Sequence, residues 1–251
     1  MIIFVTENKK EVMLSKQVEF AVNGLKSDYV FTFQDLNLPS DSSASVIRKL
    51  NRMVEAGAIT RLSKGRYYKP RQSAFGTLKP SQEEIVKDLL WKDGKVTGYL
   101  TGFSIFNQLG LTTQISNIIE IGTNVRRNRM RRGNYEIRFI LQSNPIKQAD
   151  VPLFQLLDAI RGIKDIPDTS LADSYQRMKA IMREMDEKVI RRIVILALNY
   201  PPMVRALTGA MLDEVKDNTM SQPLFDSLNP VTFYKIGFNA ESSTLKKWRI
   251  L

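Results

Sequence analysis

Between residues 14 and 70 helical apolar stripes give way to two short runs around a glycine, and that order restricts the fold more than any other property of the chain. Leu14, Val18, Ala21, Val22 and Leu25 fall at i, i+4, i+7, i+8 and i+11, one face of a helix that ends near Gly24. Thr32-Phe33-Gln34-Asp35-Leu36 follows, where Thr32 caps a short helix with Asp35 in the capping-box position. Asn37-Leu38-Pro39 then breaks the chain. Val46, Ile47, Leu50, Met53 and Val54 form the stripe of a third helix, predicted to start within Ser40-Asp41-Ser42 and to end at Gly57. Two short runs, Ile59-Thr60-Arg61-Leu62 and Arg66-Tyr67-Tyr68-Lys69, flank Ser63-Lys64-Gly65. Gly65 supplies the positive φ that a tight hairpin loop needs.

Helix, short helix, helix and hairpin in this order predict a winged helix-turn-helix domain over residues 1–75. A helix about 10–12 Å wide fits a major groove roughly 12 Å across, provided its outer face offers donors and positive charge. Ser45, Arg48, Lys49 and Arg52 sit at i, i+3, i+4 and i+7, opposite the apolar stripe, and are predicted to form that face. Arg48 and Arg52 suit bidentate contact with guanine, while Ser42, Ser43 and the helix start suit phosphate. Arg61, Lys64 and Arg66 on the hairpin are expected on the neighbouring backbone or minor groove. From Ser42 to Arg71 there are eight cations and one acid, Glu55. The alternatives are a merely solvated helix face, or a winged helix that serves as a protein-binding scaffold.

The charge balance favours an anionic partner. The chain has 251 residues, with 37 Lys and Arg against 26 Asp and Glu, a net charge of +11. The excess is concentrated in residues 1–75 (12 basic, 7 acidic) and 76–150 (11 and 7), not in 151–251 (14 and 12). Cysteine and histidine are both absent, which excludes disulfides, thiolate or imidazole zinc sites, Cys nucleophiles and His-dependent triads. The longest apolar run, Ile193 to Leu198, falls far short of the roughly 20 residues that span a bilayer. The opening Met1 to Thr6 lacks a basic region and a cleavage site, so a cytoplasmic protein without membrane partners is expected.

A second domain is expected over 76–251, making the whole chain α+β: a helix and small sheet over 81–148, then a mainly helical part over 149–251. The stretch between Pro70 and Pro80 has no clear period and reads as the boundary. Ser81 and Glu84 form a capping box for a helix to Leu90 that Asp93-Gly94 ends. Gly102 and Gly110 bracket a short apolar helix. Ile118–Ile121 and Tyr135–Leu141 read as strands. Their connection carries Arg126, Arg127, Arg129, Arg131 and Arg132, five arginines in seven residues with no acid. It is a possible second basic surface for nucleic acid or an acidic protein, or only a solvated hairpin tip. Leu153 to Ile163 and Leu171 to Met185 give helical stripes. Val189 to Leu198, apolar nearly all round, is expected to be the core helix, and the Met178, Met182 and Met185 cluster to be core filling. Val231–Ile236 reads as a strand. No Walker loop, dinucleotide fingerprint or nucleophile elbow occurs, and Asp186/Glu187 and Asp213/Glu214 read as helix-surface charges. No enzyme activity and no cofactor are expected, an RNA-processing enzyme being the weakest alternative.

Gly98 through Gln114, the Ile119-Glu120-Ile121-Gly122-Thr123 strand, the Arg-rich connection and the Tyr135–Leu141 strand resemble the AbiEi antitoxin domain of type IV toxin–antitoxin systems. Val46 through Pro70 is similar to that family's N-terminal winged helix, and Tyr200 through Ala210 to its C-terminal part, so the resemblance covers most of the chain. It implies a repressor of its own toxin–antitoxin operon that binds inverted repeats in double-stranded DNA. The winged-helix positions carried over are Ser42, Ser43, Ser45, Arg48, Lys49, Arg52, Arg61, Lys64 and Arg66. It also implies a C-terminal domain that counteracts a nucleotidyltransferase-like toxin, without need of a stable complex. An orphan regulator that lost its toxin is a related alternative, and a protein-interaction adaptor a more distant one.

Overall fold

The computed structural model of the chain describes residues 2–39, 43–74, 76–216, 218–238 and 242–251. Among them are ten α-helices and four small sheets, so the class is mixed α+β. Two compact units are present: Met1–Lys87 with Arg132–Asn134, and Asp88–Arg131 with Tyr135–Leu251.

The first unit starts with α1 (Ile2–Asn23), β1 (Val30–Phe31), a 3-10 turn at Gln34–Leu36 and α2 (Ser43–Glu55). The hairpins β2 (Thr60–Ser63)/β3 (Arg66–Tyr68) and β4 (Arg71–Ser73)/β5 (Gly76–Leu78) follow. Its core is the side of each helix that the periodicity marks: Val18 and Val22 of α1 meet Val46, Leu50 and Met53 of α2, with Phe31, Ile59 and Tyr67 closing the cluster. Ile47, counted in the α2 stripe, instead lies outside at 38% exposure. The short second helix is a single 3-10 turn. Asp35 accepts from the Thr32 amide at 2.6 Å, and Asn37 ends the turn in the left-handed region at φ 52. The expected start of the third helix within Ser40–Ser42 lies outside the described residues.

Two features were not anticipated. β1 is only two residues long, so it shows no alternation, yet it pairs with β3 to give the order β1-β3-β2. The stretch after Pro70 is a hairpin, with Arg71 opposite Leu78 and Ser73 opposite Gly76. Ser81 Oγ accepts from the Glu84 amide at 3.2 Å, as a capping residue should. The Glu84 carboxylate, however, accepts from the Val30 amide of β1 at 3.1 Å, and Lys87 Nζ sits 3.2 Å from the Tyr29 ring centroid. These bonds tie the start of α3 (Gln82–Leu90) to β1, and they carry the first unit to Lys87, beyond the expected division at 75.

In the second unit Asp93-Gly94 does more than end α3. Both residues have positive φ (50° and 72°) and close a hairpin of β6 (Trp91–Lys92) and β7 (Lys95–Val96), the geometry of a type I′ turn. The main sheet contains β8 (Gly98–Thr101), β9 (Ile118–Thr123), β10 (Met130–Arg132) and β11 (Tyr135–Leu141) in the order β10-β11-β9-β8. β9 and β11 are parallel, Ile119 opposite Ile137 and Ile121 opposite Phe139. Parallel neighbours require a crossover, so the arginine-rich connection is not a plain hairpin tip. The short helix α4 (Phe103–Phe106) lies between Gly102 and Gly110 as expected, whereas the strand β8 before it was not anticipated.

The helical part contains α5 (Val151–Arg161), α6 (Leu171–Arg183), α7 (Glu187–Ala197), α8 (Pro202–Val215), α9 (Gln222–Asp226) and α10 (Ser243–Lys247). The core helix is α8, where Val204 and Ala206 through Leu212 are all buried. In α7, Ile195 is 54% exposed and Leu198, just beyond its end, 38%. Met178 and Met182 are fully buried core residues. Val231–Ile236 is not a strand: it makes one isolated bridge, Tyr234 to Ile250. Trp248 is fully buried, and its ring occupies the space a Cβ on Gly209 would take, 2.0 Å away.

Candidate nucleic-acid interface

Helix α2 buries Val46, Leu50 and Met53, so geometry alone puts Ala44, Ile47, Arg48, Arg52 and Glu55 on its outer face. Arg48 and Arg52 are exposed, as expected. Arg48 Nη2 donates to Ser45 Oγ at 2.8 Å, a bond one helical turn long that holds the guanidinium along the helix. Ser43 opens the helix and is half-buried; Ser42 lies outside the described residues.

Lys49 departs from the predicted face. It forms an ion pair with Glu19 of α1, and its side chain is only 19% exposed. The i, i+4 geometry from Ser45 is correct, but the seam between α1 and α2 offers a carboxylate that solvent does not. Lys49 therefore belongs to the packing of the two helices.

The hairpin after α2 places Lys64 and Gly65 at its exposed tip, with Gly65 at φ 71. No atom lies within 4 Å of a Cβ built there, so backbone conformation and not space requires the glycine. Arg66, in β3, is half-buried. Arg61 is exposed, but Nη2 donates to Asn51 Oδ1, and the guanidinium carbon lies 5.7 Å from the Tyr67 ring centroid. Tyr67 Oη donates to the same Asn51 oxygen at 3.2 Å. Asn51 thus joins α2 to both strands of the hairpin, a role the sequence reading missed. The available signal was an Asn in the row Arg48, Asn51, Arg52, Glu55, next to the charged positions. Two other cations of this region support the fold: Lys69 Nζ donates to the Asn23 carbonyl at 3.2 Å, and Arg71 pairs with Asp28 at 3.1 Å.

The second basic stretch divides. Arg126, Arg127, Arg129 and Arg131 are exposed. Arg127 lies 5.7 Å from the Phe139 ring centroid, beside a shallow pocket of about 320 Å³ that includes Val125 and Leu141. A hydrogen bond from Arg138 holds the Glu136 carboxyl below its usual range, and the fields of Arg138, Arg129 and Arg131 lower it further. Arg132 is the exception. It is 2% exposed and Nη1 donates to the Ile85 carbonyl at 2.7 Å, so it serves the fold of the first unit. Among the described residues no helix is long and apolar enough to cross a membrane.

The chain belongs to a family of unknown function, DUF6088, whose model matches residues 17–190. No curated protein matches it in sequence. Its fold is similar to that of the RV2827C protein from Mycobacterium tuberculosis, known from a crystal structure. That similarity has a TM-score of 0.58 at 13% identity, over 93% of this chain and 88% of the other.

Proposed function

We propose that this member of DUF6088 is a sequence-specific double-stranded DNA-binding repressor whose N-terminal unit is a winged helix-turn-helix. The observation that carries the reading is the pair Arg48 and Arg52, exposed on a helix tied through Asn51 to a hairpin with Lys64 at its tip. In this reading α2 enters the major groove, Arg48 and Arg52 contact base edges, and Lys64 contacts phosphate. Its resemblance to AbiEi-type antitoxins extends the proposal: the protein represses a toxin–antitoxin operon and counteracts a nucleotidyltransferase-like toxin. The exposed arginines at 126, 127, 129 and 131 favour one alternative, an adaptor that docks an acidic protein partner.

The test is binding of the full chain to a duplex from its own promoter and to a random duplex, over a salt series. Contact with about five phosphates gives a log–log slope near −4.5. Arg48→Ala is expected to relax preference at one base position by about 1–3 kcal/mol, whereas Lys64→Ala weakens both duplexes alike. Equal binding of the two duplexes by the wild type, with both variants behaving the same, rejects reading by α2. A protein partner retained in high salt and nuclease, without a promoter footprint, favours the adaptor.

A further inference from the structure

The second unit contains a cavity of about 380 Å³ between α4, α5 and the strands β9 and β11. Its size lies at the small end of ligand pockets, roughly 300–1,000 Å³, which suits a metabolite and not a polymer. One wall is apolar: Phe103 and Phe106 pack edge to face at 5.6 Å, with Ile140 beside them. The rest carries both charge signs, Arg138 and Arg161 together with Glu120, Asp165 and Asp158, the last paired with Arg161.

Two of these charges are held in place from behind. Arg161 Nη2 pairs with Asp158 Oδ1 at 2.9 Å. Asp158, 4% exposed, accepts further bonds from Tyr99 at 2.8 Å, Thr101 at 2.8 Å and Tyr200 at 3.1 Å. Gln142 Nε2 donates to both tyrosine oxygens at 2.8 and 2.7 Å. Burial raises the pKa of both tyrosines, so they remain donors. A network with this many satisfied partners fixes the guanidinium before any ligand arrives, and the ion pair leaves Nε and Nη1 for that ligand. Glu120 is anchored separately: Oε2 accepts from the Phe103 amide at 3.1 Å. It can do so because residue 102 is glycine, where a Cβ would stand 1.7 Å from that oxygen.

A plain anion would meet Glu120 and Asp165, and a plain cation would meet Arg138 and Arg161. A molecule with one charge of each sign and an apolar body satisfies every group. We infer that this cavity binds a free α-amino acid with an apolar side chain: its carboxylate on Arg161 and Arg138, its ammonium on Glu120 and Asp165, its side chain against Phe103 and Phe106. This site does not depend on DNA binding, and its test uses no DNA.

Isothermal titration calorimetry and thermal unfolding of the full chain, with leucine, methionine and phenylalanine, read the site directly. At least one is expected to bind and raise Tm. Its amide, which lacks the carboxylate, and its N-acetyl form, which lacks the ammonium, should each bind roughly tenfold or more weakly. Arg161→Lys and Glu120→Gln should show the same loss while keeping the wild-type circular dichroism. Gly102→Ala, which displaces the Glu120 carboxyl, should mimic Glu120→Gln. No binding by any of the three amino acids up to about 100 times a micromolar Kd overturns the proposal. So does equal binding of the amide, the N-acetyl form or the deaminated acid, or binding unaltered in the folded Arg161→Lys and Glu120→Gln proteins.

Discussion

Arg48 and Arg161 are both helical arginines that lean on a neighbour, and they differ in what stands behind that neighbour. Arg48 in the first unit rests on the hydroxyl of Ser45, itself half-exposed. Arg161 in the second rests on a carboxylate that three hydroxyls hold inside the core. A guanidinium on a serine can swing at little cost toward whatever presents an acceptor. One backed by a buried network keeps its direction, and its removal disturbs everything that oriented it. The first arrangement suits a surface that adapts along a polymer, the second a pocket that selects a small molecule.

The most severe way to break this contrast is Asp158→Ala, which strands a guanidinium and three hydroxyls. It is expected to cost about 4 kcal/mol in urea unfolding, against under about 0.5 kcal/mol for Ser45→Ala. Gly209→Ala comes next. The new methyl must displace the Trp248 ring from a fully buried position, a loss of about 3 kcal/mol that denaturation and near-UV dichroism both report.

Acid sharpens the comparison further. Asp150, 7% exposed, receives two bonds from Arg192 at 2.8 and 2.7 Å, which hold its carboxyl below the ordinary range. Its folded pKa is lower than its unfolded value near 3.9. The stability it adds is therefore complete above about pH 4–5 and lost as pH falls through the folded pKa. Asp150→Asn is expected to cost about 2 kcal/mol at pH 7 and progressively less below pH 4, measured by urea unfolding across pH. Glu120 has the opposite sign, since burial raises its pKa and the charged form is the destabilised one. Glu120→Gln is expected to stabilise the free protein slightly at pH 7, an effect that fades below the folded pKa. A small effect is also expected in the first unit. Lys49→Gln should cost about 0.5 kcal/mol and change duplex affinity far less than Arg48→Ala.

How legible these features were depended on whether their cause was local. The stripes of α1 and, apart from the exposed Ile47, of α2, the Gly65 turn and the Ser81 cap follow from spacing and backbone chemistry, and they stand where they were expected. Lys49 had the right angular position for the outer face, but Glu19, thirty residues away, recruits it. Glu84 had the capping-box spacing, but β1 takes its carboxylate. Arg132 shares a run with four exposed arginines and alone turns in, toward the Ile85 carbonyl. The Arg161 site was invisible for the same reason, since it assembles Thr101, Glu120, Arg138 and Asp158 from four separate elements. No pattern in one stretch of sequence announces a partner that distant.

Residues 132–134 belong to the first unit although 44 residues of the second precede them. Gly133, at φ 56, would place a Cβ 2.7 Å from the Leu62 carbonyl oxygen, and Arg132 reaches back to Ile85. As the nascent polypeptide leaves the ribosome, α1 and α2 can therefore collapse early, yet the first unit stays unfinished until Asn134 has emerged. A fragment cut at residue 87 would be born without its last piece.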